Sequence, residues 1–120
     1  MGEYMKKIIF TFLMLTCLAL PVGAAGTELK DGFNQQHQGD VRVCARSITL
    51  NGQVVGNVYV ESNGTFICAG SGRVTGNVYA SNGSTVIVKG SIGGNVILDR
   101  SSKIRMEGGR VNGRIEDPNK

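Results

Sequence analysis

Few side chains in this sequence have the type and spacing that catalysis requires. The only histidine, His37, lies in a polar stretch, and an imidazole with no partner for proton transfer is a weak candidate for acid–base chemistry. No two acidic residues are expected to share an outward face, because these four occupy different positions of the repeated unit described below: Asp40, Glu61, Asp99 and Glu107. The sequence therefore argues against an enzyme, and it predicts neither a metal site nor a cofactor.

Cys44 and Cys68 could form a disulfide, the usual fate of two cysteines in an oxidising compartment. Cys68 sits in an inward apolar column, whereas Cys44 begins a corner, and a disulfide requires Cα atoms within about 7 Å of each other. Three arrangements are open: a disulfide within the chain, two thiols with Cys68 in the core, and an intermolecular bond through Cys44. With only His37 nearby, the pair does not make a metal site.

Two tyrosines and a group of basic residues are the candidate ligand contacts. Tyr59 and Tyr79 should stack on the outer surface, as a platform for carbohydrate or simply as a well-paired strand face. The chain has a net charge of +4, and its last part is basic. Arg105 and Arg110 could meet acidic envelope polymers or phosphate groups there, unless these charges are only a solvated face. The group comprises Arg100, Lys103, Arg105, Arg110 and Arg114.

A five-residue sequence motif that recurs along the chain should position these residues. Gly56-Asn57-Val58-Tyr59-Val60 returns as Gly76-Asn77-Val78-Tyr79-Ala80 and as Gly94-Asn95-Val96-Ile97-Leu98, with weaker copies at Gly39 and Gly113. The interval of about 18 residues is typical of a stacked-repeat architecture, in which no unit buries its apolar face alone.

Within each repeat, apolar residues alternate with polar ones, which predicts three short strands separated by Gly, Ser and Asn corners. Coils that stack in register would align the inward residues vertically, because a one-residue slip would turn every side chain to the other face. The alignment gives five apolar columns: Val54/Val74/Ile92/Val111, Val41/Val58/Val78/Val96/Ile115, Val43/Val60/Ala80/Leu98, Ile48/Phe66/Val86/Ile104 and Leu50/Cys68/Val88/Met106. The predicted fold is all-β, a short parallel β-helix (β-solenoid) of about four to five coils.

Three outward rows are the surfaces on which function would have to lie. The row that follows the repeat glycines should hydrogen-bond along the stack or, alternatively, bind a ligand. Ile67 and Ile87 form a small apolar strip, either a contact surface or a surface covered by the N-terminal segment. The rows are Asp40/Asn57/Asn77/Asn95/Arg114, Arg42/Tyr59/Tyr79/Ile97 and Thr49/Ile67/Ile87/Arg105.

The repeated Val-x-Gly-Asn-Val-x-Val pattern resembles that of the bactofilins, polymer-forming bacterial cytoskeletal proteins. The resemblance covers Gly39 to Glu116. It implies a right-handed β-helix of roughly triangular section that polymerises end to end without nucleotide. Typical bactofilins are cytoplasmic, whereas the start of this chain predicts export.

The first residues predict a secretory signal peptide. Lys6 and Lys7 precede the apolar run from Ile8 to Leu20, and small residues follow, with cleavage expected near Ala24. An uncleaved amphipathic anchor is the alternative. The run is too short to span a bilayer, which needs about 20 apolar residues. We therefore expect a periplasmic or extracellular protein that is not transmembrane once mature, with no nucleic-acid partner.

The predicted organisation is a signal peptide at 1–24, a flexible polar arm or loose cap at 25–38, the solenoid at 39–116 and a tail at 117–120. Val111 and Ile115 end their columns with no coil above them, which predicts an assembly surface at the C-terminal end. The first hypothesis is an exported, non-enzymatic structural protein that associates with itself through solenoid ends. The alternative is a module that binds cell-wall or other envelope polysaccharide.

Overall fold

The computed structural model describes residues 27–119, and the predicted signal peptide and its cleavage site lie outside them. Every regular element in this part of the chain is a short β-strand. In chain order the strands are β1 (Gln36–Gln38), β2 (Val41–Cys44), β3 (Ser47–Leu50), β4 (Gln53–Val55), β5 (Val58–Glu61), β6 (Thr65–Cys68), β7 (Arg73–Val74), β8 (Val78–Ala80), β9 (Thr85–Val88), β10 (Ser91–Ile92), β11 (Val96–Leu98), β12 (Lys103–Met106), β13 (Arg110–Val111) and β14 (Ile115–Glu116).

Between residues 27 and 119 the strands form three sheets, in which the neighbouring strands are parallel. Face 1 has the order β14-β11-β8-β5-β2, face 2 the order β12-β9-β6-β3, and face 3 the order β1-β4-β7-β10-β13. Successive strands along the chain belong to successive faces, so the chain winds through one strand of each face per coil. The predicted parallel β-solenoid is confirmed, with about four complete turns.

All five predicted apolar columns are confirmed by the strand registers. On face 2, for example, Phe66 aligns with both Ile48 and Val86, and on face 1 Val78 aligns with both Val58 and Val96. Strands β5, β6 and β9 alternate between half-buried and buried residues. The core is thus a set of vertical aliphatic stacks, in which each side chain packs on its equivalents in the coils above and below.

The solenoid begins earlier than Gly39. Strand β1 pairs with β4, Thr27 bridges to Val41, and Phe33 bridges to Leu50. Residues 27–38 therefore form a partial coil against the first complete one. Of the two expectations for this segment, a cap over the first coil agrees with the structure and a flexible arm does not. The apolar Leu29 and Phe33 explain why, since they pack against the core.

Candidate functional site

The last coil leaves apolar side chains uncovered. Met106 is 44% exposed and Ile115 is 38% exposed, whereas their column neighbours Val88 and Val96 are fully buried. Ile104 and Val111 are only partly buried. Strands β12, β13 and β14 lie at the edges of their sheets, so their outer backbone groups have no neighbouring strand in the described part of the chain. We call Ile104, Met106, Val111 and Ile115 the C-terminal end.

The tail residues 117–119 turn back along the solenoid side. The Asn119 side-chain amide donates to the Arg100 carbonyl at 2.9 Å, and the Asn119 backbone N–H donates to an Asp117 carboxylate oxygen at 3.0 Å. Met106 and Ile115 stay exposed with this segment in place. The predicted assembly residues Val111 and Ile115 are therefore part of the open end. Met106, predicted as a column residue but not as part of this surface, also belongs to it.

The opposite end is covered by the chain's own residues. Leu29 is 7% exposed, and Phe33 packs against the core. The N–H of Gly32 donates to the Thr49 carbonyl at 2.8 Å, and that of Asn51 donates to the Phe33 carbonyl at the same distance. These bonds engage backbone groups at and next to β3, the edge strand of face 2. The two ends of the solenoid are thus chemically different.

His37 lies in an inward column, opposite Val54, and not in a polar arm. Its ring meets Phe33 edge-on, with centroids 6.4 Å apart, and its Nε2 atom is buried with no hydrogen-bond partner among the described residues. This arrangement gives His37 a packing role. The signal was available in the sequence, because His37 stands two residues before Gly39 just as Val54 stands two before Gly56.

The outward row of residues that follow the repeat glycines forms a ladder of hydrogen bonds, in which a side-chain oxygen of one coil accepts a backbone N–H of the next coil. Asp40 Oδ1 accepts the N–H of Asn57 at 3.0 Å, and the Oδ1 of Asn57 accepts that of Asn77 at 2.8 Å. The same bond continues from Asn77 to Asn95 at 2.8 Å and from Asn95 to Arg114 at 2.7 Å. These amides tie each coil to the next, which favours the structural alternative over ligand binding for this row.

Tyr59 and Tyr79 stack as predicted, with ring centroids 5.1 Å apart and planes 11° from parallel. The Tyr79 hydroxyl also accepts a hydrogen bond from the Asn77 side-chain amide at 3.0 Å. Each ring covers one face of the other and both residues are half-buried, as expected for a cross-strand aromatic pair. The geometry therefore favours the paired-strand alternative. Arg42, in the same row, is buried and forms an ion pair with Glu61 at 3.4 Å.

The four candidate ligand contacts do not converge. The tyrosines lie on face 1, Arg105 on face 2 and Arg110 on face 3. Arg105 forms an ion pair with Glu107 at 2.9 Å. Ile67 and Ile87 are adjacent and half-buried on face 2, as predicted. The positive charge of the last coils is thus spread around the solenoid.

The Cys44–Cys68 disulfide is not present, which corrects that alternative. Cys68 is a free, buried cysteine in the column between Leu50 and Val88. Burial raises the pKa of its thiol, whose Sγ lies 3.7 Å from the Ser91 carbonyl. Cys44 ends a strand of face 1, opposite Glu61, and Cys68 ends a strand of face 2. The two residues lie at different corners of the solenoid, and Cys68 behaves as a core residue.

Asp99 organises the corner that leads into the last coil. Its carboxylate accepts the Asn82 N–H at 2.9 Å, and it also accepts the hydroxyls of Ser101 and Ser102 at 2.8 and 2.9 Å. The bond from the Asn82 backbone is the main cause that lowers the pKa of Asp99 to about 2, and the serines add to it. This carboxylate is fully engaged as an acceptor, which is a structural role and not the poised state of a catalytic acid.

Across residues 27–119, no group of three or more His, Cys, Asp or Glu side chains is arranged to hold a metal ion. In the same region, no helix is long and apolar enough to cross a bilayer. Within the described residues the most distinctive feature is the exposed C-terminal end of an otherwise closed stack.

The fold and its open end define the class, a short parallel β-solenoid whose last coil is available for contact. The family model of the bactofilins, described as polymer-forming and cytoskeletal, matches residues 32–119. The chain therefore belongs to the bactofilin family, a structural family whose members associate into polymers. Comparisons with curated proteins and with solved structures gave no match.

Proposed function

We propose that the chain is an exported, non-enzymatic structural protein whose solenoids associate through the C-terminal end. The observation that carries the proposal is the exposure of Met106 and Ile115 at the end of fully buried columns. Large apolar side chains grouped on an open sheet edge favour contact with another molecule. Membership of a polymer-forming family makes a second copy of the chain the natural partner.

Association would bury the exposed apolar side chains at this end and would pair the free backbone edges of its strands. Burial of apolar surface contributes roughly 25 cal/mol per Å² removed from water. Strands β12, β13 and β14 could also pair with the strands of a second solenoid. Two C-terminal ends facing each other give a closed dimer, whereas a C-terminal end on an N-terminal end gives an open filament. At the N-terminal end, Leu29 and Phe33 already pack against the core. This favours the closed dimer of two C-terminal ends as the initial contact.

Export is the second part of the proposal, and it rests on the segment 1–24. A basic start, an apolar run and small residues are the features of a cleaved signal. The experiment is cell fractionation with N-terminal sequencing of the protein recovered. A new N-terminus near Ala24 in the envelope or medium supports export, and a cytoplasmic protein that begins at Met1 contradicts it.

Light scattering after size-exclusion chromatography tests the assembly. Ile115→Lys places a charge in the proposed contact and disturbs only the last strand, so we expect a smaller species with unchanged β-content by circular dichroism. Ile87→Lys is the matched control, because it makes the same chemical change on an outward position in the middle of face 2. We expect that control to assemble like the wild type.

Two results would overturn the C-terminal contact. One is a wild-type protein that stays monomeric at high concentration. The other is an Ile115→Lys variant that assembles as well as the Ile87→Lys control. The envelope-polysaccharide alternative receives no support from Tyr59 and Tyr79, whose rings cover each other. Retention of an Ile115→Lys monomer on cell-wall material would revive it.

A further inference from the structure

Face 3 carries a groove between two arginines. Arg73, Ser91 and Arg110 are register neighbours on three adjacent strands, and all three lie at outward positions. Strands in a sheet are about 4.8 Å apart, so the two arginine Cα atoms are separated by roughly 10 Å with the small serine between them. The groove has a volume of about 390 Å³, and its lining also includes Thr75, Gly93 and Asn112.

A second hollow continues the groove around the adjoining corner. It shares Ser91 and Arg110 with the first and adds Lys89. The remaining lining consists of glycines, which leave the backbone uncovered and the corner open: Gly70, Gly90, Gly108 and Gly109. Three cationic side chains thus border the two adjoining hollows, and no carboxylate from residues 27–119 lines either of them.

The positive charge of this groove is not neutralised internally. Within residues 27–119, neither Arg73 nor Arg110 takes part in an ion pair, and the Ser91 hydroxyl makes no hydrogen bond. Lys89 has only a long contact of 3.9 Å with Glu107, whose carboxylate is held more closely by Arg105 at 2.9 Å. The groove therefore has donors on both sides and at its floor, and all of them are available to an acceptor.

We propose that this groove binds a phosphate-type oxyanion. The planar guanidinium groups of Arg73 and Arg110 would approach it from opposite sides, because each presents two parallel N–H donors that match phosphate geometry. The Ser91 hydroxyl would donate from the floor and Lys89 would add charge at the rim. A neutral sugar fits poorly, because the lining offers cationic donors and no aromatic ring. The groove opens on the outer side of face 3, and Arg110, on the edge strand β13, is the cation of the groove that lies in the last coil.

Titration of the full chain with inorganic phosphate, followed by amide NMR at low ionic strength, tests the site directly. Sodium chloride at matched ionic strength is the reference, because salt screens exposed charges. We expect phosphate to shift the amides of Ser91, Gly93 and Arg110 selectively. The titration is carried out on both the wild type and Ile115→Lys. Phosphate-dependent shifts present in both samples report the groove whether or not Ile115 takes part in assembly, so a failure of the assembly proposal and a failure of this one are distinguishable.

Charge-removing variants identify the contacts. We expect Arg73→Gln and Arg110→Gln each to weaken phosphate binding about tenfold, as loss of a charged hydrogen-bond donor does. Lys103→Gln is the matched control, because Lys103 is an exposed cation on face 2, away from the groove. Equal weakening by Lys103→Gln would mean that phosphate responds only to net charge, and the proposal would fail.

Vesicle co-sedimentation distinguishes binding of a lipid phosphate from binding of a free phosphate ion. Binding to phosphatidylglycerol vesicles that is lost in Arg73→Gln assigns the groove to a lipid phosphate. Selective shifts with inorganic phosphate and no sedimentation assign it to a free phosphate. The absence of both, up to about 10 mM phosphate, would overturn the proposal, since that limit corresponds to negligible affinity.

Discussion

The side-chain oxygen of Asn77 accepts the backbone N–H of Asn95 at 2.8 Å and occupies the space that a Cβ atom on Gly94 would need. The same relationship holds between Asn57 and Gly76 and between Asn95 and Gly113. The glycine and the asparagine of the repeated Gly-Asn pair therefore act together in stacking the coils. The asparagine of one coil hydrogen-bonds the next coil, and the glycine of that next coil makes room for the amide.

Replacement of Gly94 should therefore be costly. Gly94→Ala would bring a Cβ atom against Asn77 Oδ1 and the Gly76 carbonyl, so we expect a loss of about 2–3 kcal/mol in the free energy of unfolding. Gly70→Ala is the control, because a Cβ there meets open space. Urea denaturation measures both, and equal stabilities of the two variants would contradict the steric account.

Removal of the Asn77 side-chain amide should remove a partly buried hydrogen bond between two coils. Asn77→Ala leaves the Asn95 N–H without its acceptor, and we expect about 1–3 kcal/mol of destabilisation by urea denaturation. Tyr79→Phe removes only the acceptor for the Asn77 side-chain N–H, so it serves as the control. A Tyr79→Phe variant as unstable as Asn77→Ala would show that the ladder contributes little.

The inward and outward assignments can be tested at adjacent positions. Val78 is fully buried, and Val78→Asp should unfold the domain, because an isolated carboxylate in an apolar stack is strongly disfavoured. Tyr79→Asp changes the next, half-buried residue and should lose the ring stack and the hydrogen bond from the Asn77 side chain, together about 1–2 kcal/mol. Melting followed by circular dichroism compares them, and equal damage would contradict the alternation.

The corner at Asp99 predicts a pH dependence. Its folded pKa of about 2 lies below its ordinary value of 3.8, so the carboxylate stabilises the fold above pH 4, and this contribution is lost as the pH falls towards 2. We expect the difference in melting temperature between wild type and Asp99→Asn to shrink over that interval. Glu116→Gln, an exposed carboxylate on β14, is the control. A difference that stays constant down to pH 2 would rule out this role.

Much of the fold followed from the spacing of residues in the chain. Phe66, Val86 and Ile104 hold one position in successive repeats, and a parallel stack in register has to place them above one another. The exposure of Ile115 among residues 27–119 agrees with its place as the last member of its column there. Such predictions succeed where a repeat turns a local pattern directly into a spatial one.

Other features depended on three-dimensional contacts. Because His37 is polar, it was not predicted to point inward, although its spacing from Gly39 matches that of Val54 from Gly56; the pairing of β1 with β4 shows its place. The sequence suggested that the asparagines interact along the stack, but only the structure decided that each side-chain oxygen accepts a backbone N–H. Arg73, Ser91 and Arg110 are distant in sequence, and only the coiling of the chain brings them onto adjacent strands. The repeat determines which positions align, whereas side-chain direction and the space between aligned residues are decided by packing between coils.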